Sequence, residues 1–180
     1  MGKRMNELSA PLQDFILEQK IFFVGTARAE GTINVSPKGM DSFRIIDPQR
    51  IVWLNLTGSG NETAAHLLEH DRMTIMFCAF EGKPLILRLY GHANIYHAGE
   101  EGFEKYTSLF PPLLGARQII DMEIDLVQTS CGFGVPFMEF KEERPTLTAW
   151  AENKGQENIE TYWQEKNTVS LDGYDTGMPG

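Results

Sequence analysis

Apolar residues along this chain come in many short runs rather than a few long ones. Leu12, Phe15 and Ile16 recur at helical spacing behind Ser9 and Pro11, which predicts a first helix with Ser9 as its N-cap. Ile21 to Thr26 is short, apolar and β-rich, so it reads as a buried strand, and the Glu30-Gly31 turn leads into a second strand from Thr32 to Ser36. Phe43–Ile46 and Ile51–Leu56 flank the turn Asp47-Pro48-Gln49-Arg50 and predict another hairpin. A helix is expected over Glu62–Glu69. Two long strands, Met73–Phe80 and Leu85–Tyr96, then surround Glu81-Gly82-Lys83-Pro84. Gly99–Phe110 reads as a helix stopped by Pro111 and Pro112. In Gln118–Thr129 the alternation places Ile120, Met122, Ile124 and Leu126 on one face of a strand. Pro145–Lys166 looks helical, with Gly155 as a point of interruption. The tail from Asn167 carries no clear element.

About six or seven strands, joined mostly as hairpins and not alternating one-to-one with helices, exclude a doubly wound parallel sheet. They predict a mainly β, antiparallel sheet with peripheral helices, closed into a barrel because closure removes its edges. At 180 residues the chain is one domain, residues 1–140, with a C-terminal helix and tail, 141–180, packed on the barrel or on a partner subunit. A formal net charge of -9 argues against nucleic acid as a partner, although a few local donors suffice for one phosphate. Two cysteines far apart, Cys78 and Cys131, suggest neither a zinc site nor a disulfide framework. Lys3 and Arg4 are followed by no apolar stretch, and no run is long enough to cross a bilayer. A cytoplasmic protein without membrane attachment is therefore expected.

Four segments are candidates for chemistry. The loop Thr57, Gly58, Ser59, Gly60, Asn61, Glu62 and Thr63 carries a strand into a helix. Backbone N–H groups at a helix start, glycines and hydroxyl donors together suit an anion, while the ordinary alternative is a capped turn. No Gly-Lys-Ser/Thr follows, so nucleoside triphosphate hydrolysis is not indicated. Ser36-Pro37-Lys38-Gly39 ends the second strand, and Lys38 offers a positive charge to a phosphate or a reduced flavin; most such lysines are simply solvated. Arg88 lies within an apolar strand on the face of Ile86 and Tyr90, and must reach a ligand or an acid such as Glu62. Cys131, in a Gly-rich loop, has no activating neighbour and reads as a buried, inert thiol. His66 and His70, at i, i+4, read as a surface pair and not as metal ligands.

In their order, these parts resemble the pyridoxamine phosphate oxidase-like, FMN-binding split-barrel family over about residues 8 to 140. The likeness rests on Phe22-Phe23-Val24-Gly25-Thr26, on Ser36-Pro37-Lys38-Gly39, on Asn55 through Thr63 before a helix with Leu67, and on Arg72–Phe80 with the Arg88…Gly91 strand. The resemblance implies a homodimer with FMN at the subunit interface. It implies the Thr57–Thr63 loop on the phosphate, Ser36, Pro37, Lys38 and Gly39 along the flavin, Arg88 near it, and Cys131 in a loop lining it. It also implies an oxidoreductase working with a small-molecule donor or substrate. Relatives in the wider family bind deazaflavin F420 or haem, and a non-catalytic carrier or sensor is the alternative. True pyridoxamine phosphate oxidases carry an Arg-Lys pair where Asn61-Glu62 stands here, and an Arg-x-His motif absent from this chain, which argues against vitamin B6 oxidation.

Overall fold

The structure is a computed structural model describing residues 2–179. Eight strands form one sheet: β1 (Arg4–Met5), β2 (Phe22–Thr26), β3 (Asn34–Lys38), β4 (Phe43–Asp47), β5 (Arg50–Leu56), β6 (Arg72–Cys78), β7 (Ile86–His97) and β8 (Ala116–Ser130). Five helices accompany them: α1 (Ala10–Glu18), α2 (Glu62–Leu67), α3 (Glu101–Thr107), α4 (Thr146–Lys154) and α5 (Gln156–Lys166). Every named strand pair is antiparallel, and the hydrogen-bonded path runs β3-β2-β6-β7-β8-β5-β4, with β1 added to β8.

That path does not close. β3 and β4 are its two ends, so the barrel is split rather than sealed. The sheet nevertheless curls on itself. Phe22 of β2 meets Phe43 of β4 edge-on at 5.0 Å, and Phe43 meets Phe77 of β6 at 5.3 Å. Side chains thus bridge what backbone hydrogen bonds do not, around an interior of Val24, Ile51, Trp53, Ile75, Leu87, Leu89 and Met122. On the other side of β5 and β8, Val52, Leu54 and Ile119 pack against Phe103 and Tyr106 of α3.

The expected alternation in β8 fails at one point. Tyr90 pairs with Leu126 but Gly91 with Ile124, so Asp125 is bulged out of register. Beyond the bulge the faces exchange: Val127 is fully buried, while Leu126 turns to the other side. Gly91 permits this close approach, because a Cβ there would lie 1.8 Å from the Glu123 carbonyl oxygen. Gly155, at φ 74°, splits the long C-terminal helix into α4 and α5.

Candidate functional site

Beside the split, β3 and the β5–α2 loop bound a cavity of about 510 Å³. Asn34, Ser36 and Lys38 reach it from one face of β3, Asn55 from β5, Gly58 to Thr63 from the loop, and Arg117 from the start of β8. Alternation explains the β3 set: these residues pair with Thr26, Val24 and Phe22, whose side chains are buried. Lys166, Val169, Ser170 and Leu171 close the cavity from the end of α5 and the tail.

Most of the expected site residues therefore meet. Ser36, Lys38, Gly58, Ser59, Gly60, Asn61, Glu62 and Thr63 line one space. Pro37 and Thr57 adjoin its lining residues in sequence, whereas Gly39 lines a separate cavity with Lys20, Ile21 and Trp150. Thr57 is buried, donating to the Gly115 carbonyl and accepting from the Trp163 indole at 2.8 Å. Thr63 is also buried, and its hydroxyl accepts from Asn34 Nδ2 at 3.2 Å.

Arg88 and Cys131 stand elsewhere. Arg88 donates to Ser130 Oγ at 3.2 Å on the half-exposed side of the sheet, next to Cys78. The anticipated pairing with Glu62 is not formed, since Glu62 Oε1 accepts from the Leu171 amide at 2.9 Å. Cys131 is exposed rather than buried, because it follows the last residue of β8 and its side chain leaves the sheet. Cys78 is the buried thiol, its pKa raised by burial against the opposing pull of Arg88. His66 is not a surface residue either: it is buried and hydrogen-bonded with Thr26 Oγ1 at 3.0 Å.

Helix α2 is shorter than expected, at six residues, and the amides of Ala64 and Ala65 already bond to the Asn61 carbonyl. So short a helix supplies little dipole. The positive charge comes from side chains instead, chiefly Arg117, which the sequence reading did not single out. Arg117 is 3 % exposed. Its Nη1 donates to the Gly60 carbonyl at 3.1 Å and to Asn167 Oδ1 at 2.6 Å, both uncharged. Among the described residues no carboxylate lies within salt-bridge distance of Arg117 or Lys38. Burial pushes the Arg117 pKa down to about 10. Burial, then the nearby Arg117 charge, lowers Lys38 to about 8, and the Lys38 amine sits 5.1 Å from the centre of the Trp53 ring.

A buried cation such as Arg117 without a counter-ion is costly, and the half-buried Lys38 beside it adds like charge. Around the same cavity, Ser36 Oγ, Asn55 Oδ1, Asn61 Oδ1, Glu62 Oε2 and Arg117 Nε are buried without hydrogen-bond partners. Buried polar atoms normally find partners. The lining therefore fits a ligand with an anionic group for Arg117 and Lys38, and with hydroxyl or N–H donors for the Asn and Glu oxygens.

An open antiparallel barrel with a polar, cation-bearing cavity beside its split defines the fold class: a split barrel. The chain belongs to the pyridoxamine 5'-phosphate oxidase family, whose profile matches residues 8–131. It is 37 % identical, over 96 % of its own length and 75 % of the relative's, to the pyridoxamine 5'-phosphate oxidase family protein ustO of Aspergillus flavus. Its fold is shared with HupZ of Group A Streptococcus, at TM-score 0.52 and 20 % identity, covering 66 % of this chain and 91 % of that one. It is shared too with a putative pyridoxamine 5'-phosphate oxidase from Lactobacillus delbrueckii, at TM-score 0.53 and 17 % identity, over 68 % and 94 % of the two chains. No helix among the described residues is long and apolar enough to cross a membrane.

Proposed function

We propose that this protein binds FMN in the cavity beside the split and acts as a cytoplasmic, FMN-dependent oxidoreductase on a small-molecule donor or substrate. The observation that carries the reading is the meeting of two carboxylate-free cations, Arg117 and Lys38, with unpartnered buried polar atoms in one cavity. Arg117, Lys38 and the Gly58–Thr63 loop would hold the phosphate, and the flavin when bound supplies the redox chemistry. Asn55, Asn61 and Glu62 offer acceptors suited to ribityl hydroxyls. Among the described residues no imidazole, thiol, thioether or phenol lines the cavity, so the lining favours flavin over haem.

The test is a titration of the purified protein with FMN, with riboflavin and with F420, followed by absorbance. FMN is expected to bind at least roughly tenfold more tightly than riboflavin, since riboflavin lacks the charged phosphate contacts. Equal affinities would remove the cavity as a phosphate site. Turnover with a reduced nicotinamide then separates an oxidoreductase from a carrier.

A homodimer belongs to the same proposal. Phe133 and Phe137 are 82 % and 84 % exposed, and Ile33 and Val35, beside and on the edge strand β3, are 75 % and 67 % exposed. Exposed apolar side chains of this size are ones that a second subunit would cover. The dimer is expected to bury ~2,000 Å² or more, and sedimentation velocity should show a single dimeric species. A monomer that holds FMN tightly would exclude it.

A further inference from the structure

In the phosphate site charge is concentrated on Arg117, and the residue that fixes Arg117 comes from the C-terminal segment, 50 positions further along the chain. Asn167, the residue after α5, is fully buried. Its side chain makes two bonds, both to site residues: Oδ1 accepts from Arg117 Nη1 at 2.6 Å, and Nδ2 donates to the Gly58 carbonyl at 3.2 Å. Its backbone does different work. The Asn167 carbonyl accepts from Asn61 Nδ2 at 3.2 Å and from Thr176 Oγ1 at 2.6 Å, and its amide donates to the Trp163 carbonyl at 2.8 Å. The tail is thus pinned through main-chain atoms that any residue at 167 would supply. The side chain is left to orient the guanidinium and the glycine loop.

A neutral amide here differs from a carboxylate in one decisive respect. It satisfies one guanidinium N–H while leaving the positive charge unneutralised, and Arg117 Nε remains without a partner. A carboxylate at the same atom would form a buried ion pair and consume the charge. Lys166, the preceding residue, also lines the cavity, so the end of α5 contributes both a further charge and the hydrogen-bond partner of Arg117. This wall lies beyond residue 131, where the family match ends.

We propose that Asn167 is a positioning residue for anion recognition, holding Arg117 aimed and uncompensated so that the ligand's phosphate, and not the protein, supplies the counter-charge. The inference rests on the FMN reading, but its chemistry is that of any phosphate-bearing ligand.

The experiment compares Asn167→Asp and Asn167→Ser with the wild type, using FMN, riboflavin and inorganic phosphate as probes. Asn167→Asp is nearly isosteric and is expected to cost at least roughly tenfold in FMN affinity while leaving riboflavin affinity within about twofold. Asn167→Ser retains the main-chain bonds to the tail but withdraws the acceptor from Arg117. It should weaken FMN by a few fold, again without touching riboflavin, and it carries the test if the aspartate variant does not fold. Unchanged FMN affinity in the variants would overturn the proposal. So would parallel losses for FMN and riboflavin, which would mean that Asn167 only holds the tail. If the wild type binds FMN no better than riboflavin, the FMN reading fails by itself. The positioning role is then decided by inorganic phosphate: it must raise the melting temperature of the wild type more than that of Asn167→Asp, and equal shifts would overturn it.

Discussion

Arg117→Met is expected to lower FMN affinity roughly hundredfold while the apo-protein melts within a few degrees of the wild type. Methionine keeps much of the apolar stem and bulk but removes the charge. The loss of binding follows from a charge-assisted hydrogen bond in a largely buried setting, at the upper end of ~3 kcal/mol. The small effect on the apo-protein follows from what Arg117 lacks. It has no carboxylate partner among the described residues, so its removal strands no buried acid and relieves an uncompensated cation. The acceptors it leaves are Gly60 O, at the edge of an open cavity, and Asn167 Oδ1. Breaking a structural ion pair would instead cost ~3–5 kcal/mol and lower melting by roughly ten degrees in a chain of this size. Isothermal titration and apo melting curves together distinguish the two. A collapse of the apo-protein would make Arg117 part of the framework and not of the binding machinery.

The fold was legible because its hairpins are local. Each of β2 to β7 sits within a few residues of where alternation and turn residues put it, and Gly155 breaks the C-terminal helix where the sequence marks an interruption. What escaped was non-local or anomalous. The two residues of β1 are too short to show a period, and they exist only because β8 offers a free edge at Val127 and Gln128. The exchange of faces after Ile124 cannot be read from β8 itself, since it depends on Gly91 in the partner strand.

The site divides along the same line. Ser36, Lys38 and the loop from Gly58 to Thr63 were legible because a strand end and a Gly-rich loop carry local signatures. Arg117 was not, although the argument applied to Arg88 holds equally for it: a charged residue two positions before Ile119 and Ile120 in a buried strand must have a reason to be buried. Starting the strand at Gln118 left Arg117 outside it by one residue. Asn167 and Lys166 were illegible in principle. Asn167 meets Gly58 across 109 positions of sequence, and no local pattern records such a contact.

Lys38 gives the second large effect, a fall in FMN affinity of roughly hundredfold between about pH 8 and pH 10. Burial and the Arg117 charge hold the free amine near 8, well below the ordinary lysine value of 10.5. A bound phosphate beside it supplies the missing negative charge and returns the pKa toward that value. Below pH 8 the amine is protonated with or without ligand, so affinity is flat. Above pH 8 the free protein has lost the proton that the complex still holds. Binding then takes up one proton, and affinity drops about tenfold per pH unit until the complex also titrates. Folding has the opposite sign over the same window. The unfolded chain keeps its lysine proton up to about 10.5 while the folded apo-protein has released it, so this residue's destabilising contribution, complete below pH 8, disappears as pH rises. Lys38→Met should therefore remove the loss of FMN affinity that begins near pH 8, leaving only the later fall set by Arg117 near pH 10, and flatten the residue's share of the apo stability profile. Riboflavin, which shares the ring and its own ionisation, is the control, and the ratio of the two affinities isolates the phosphate. A ratio that stays constant from pH 7 to pH 10 in the wild type would place the phosphate away from Lys38.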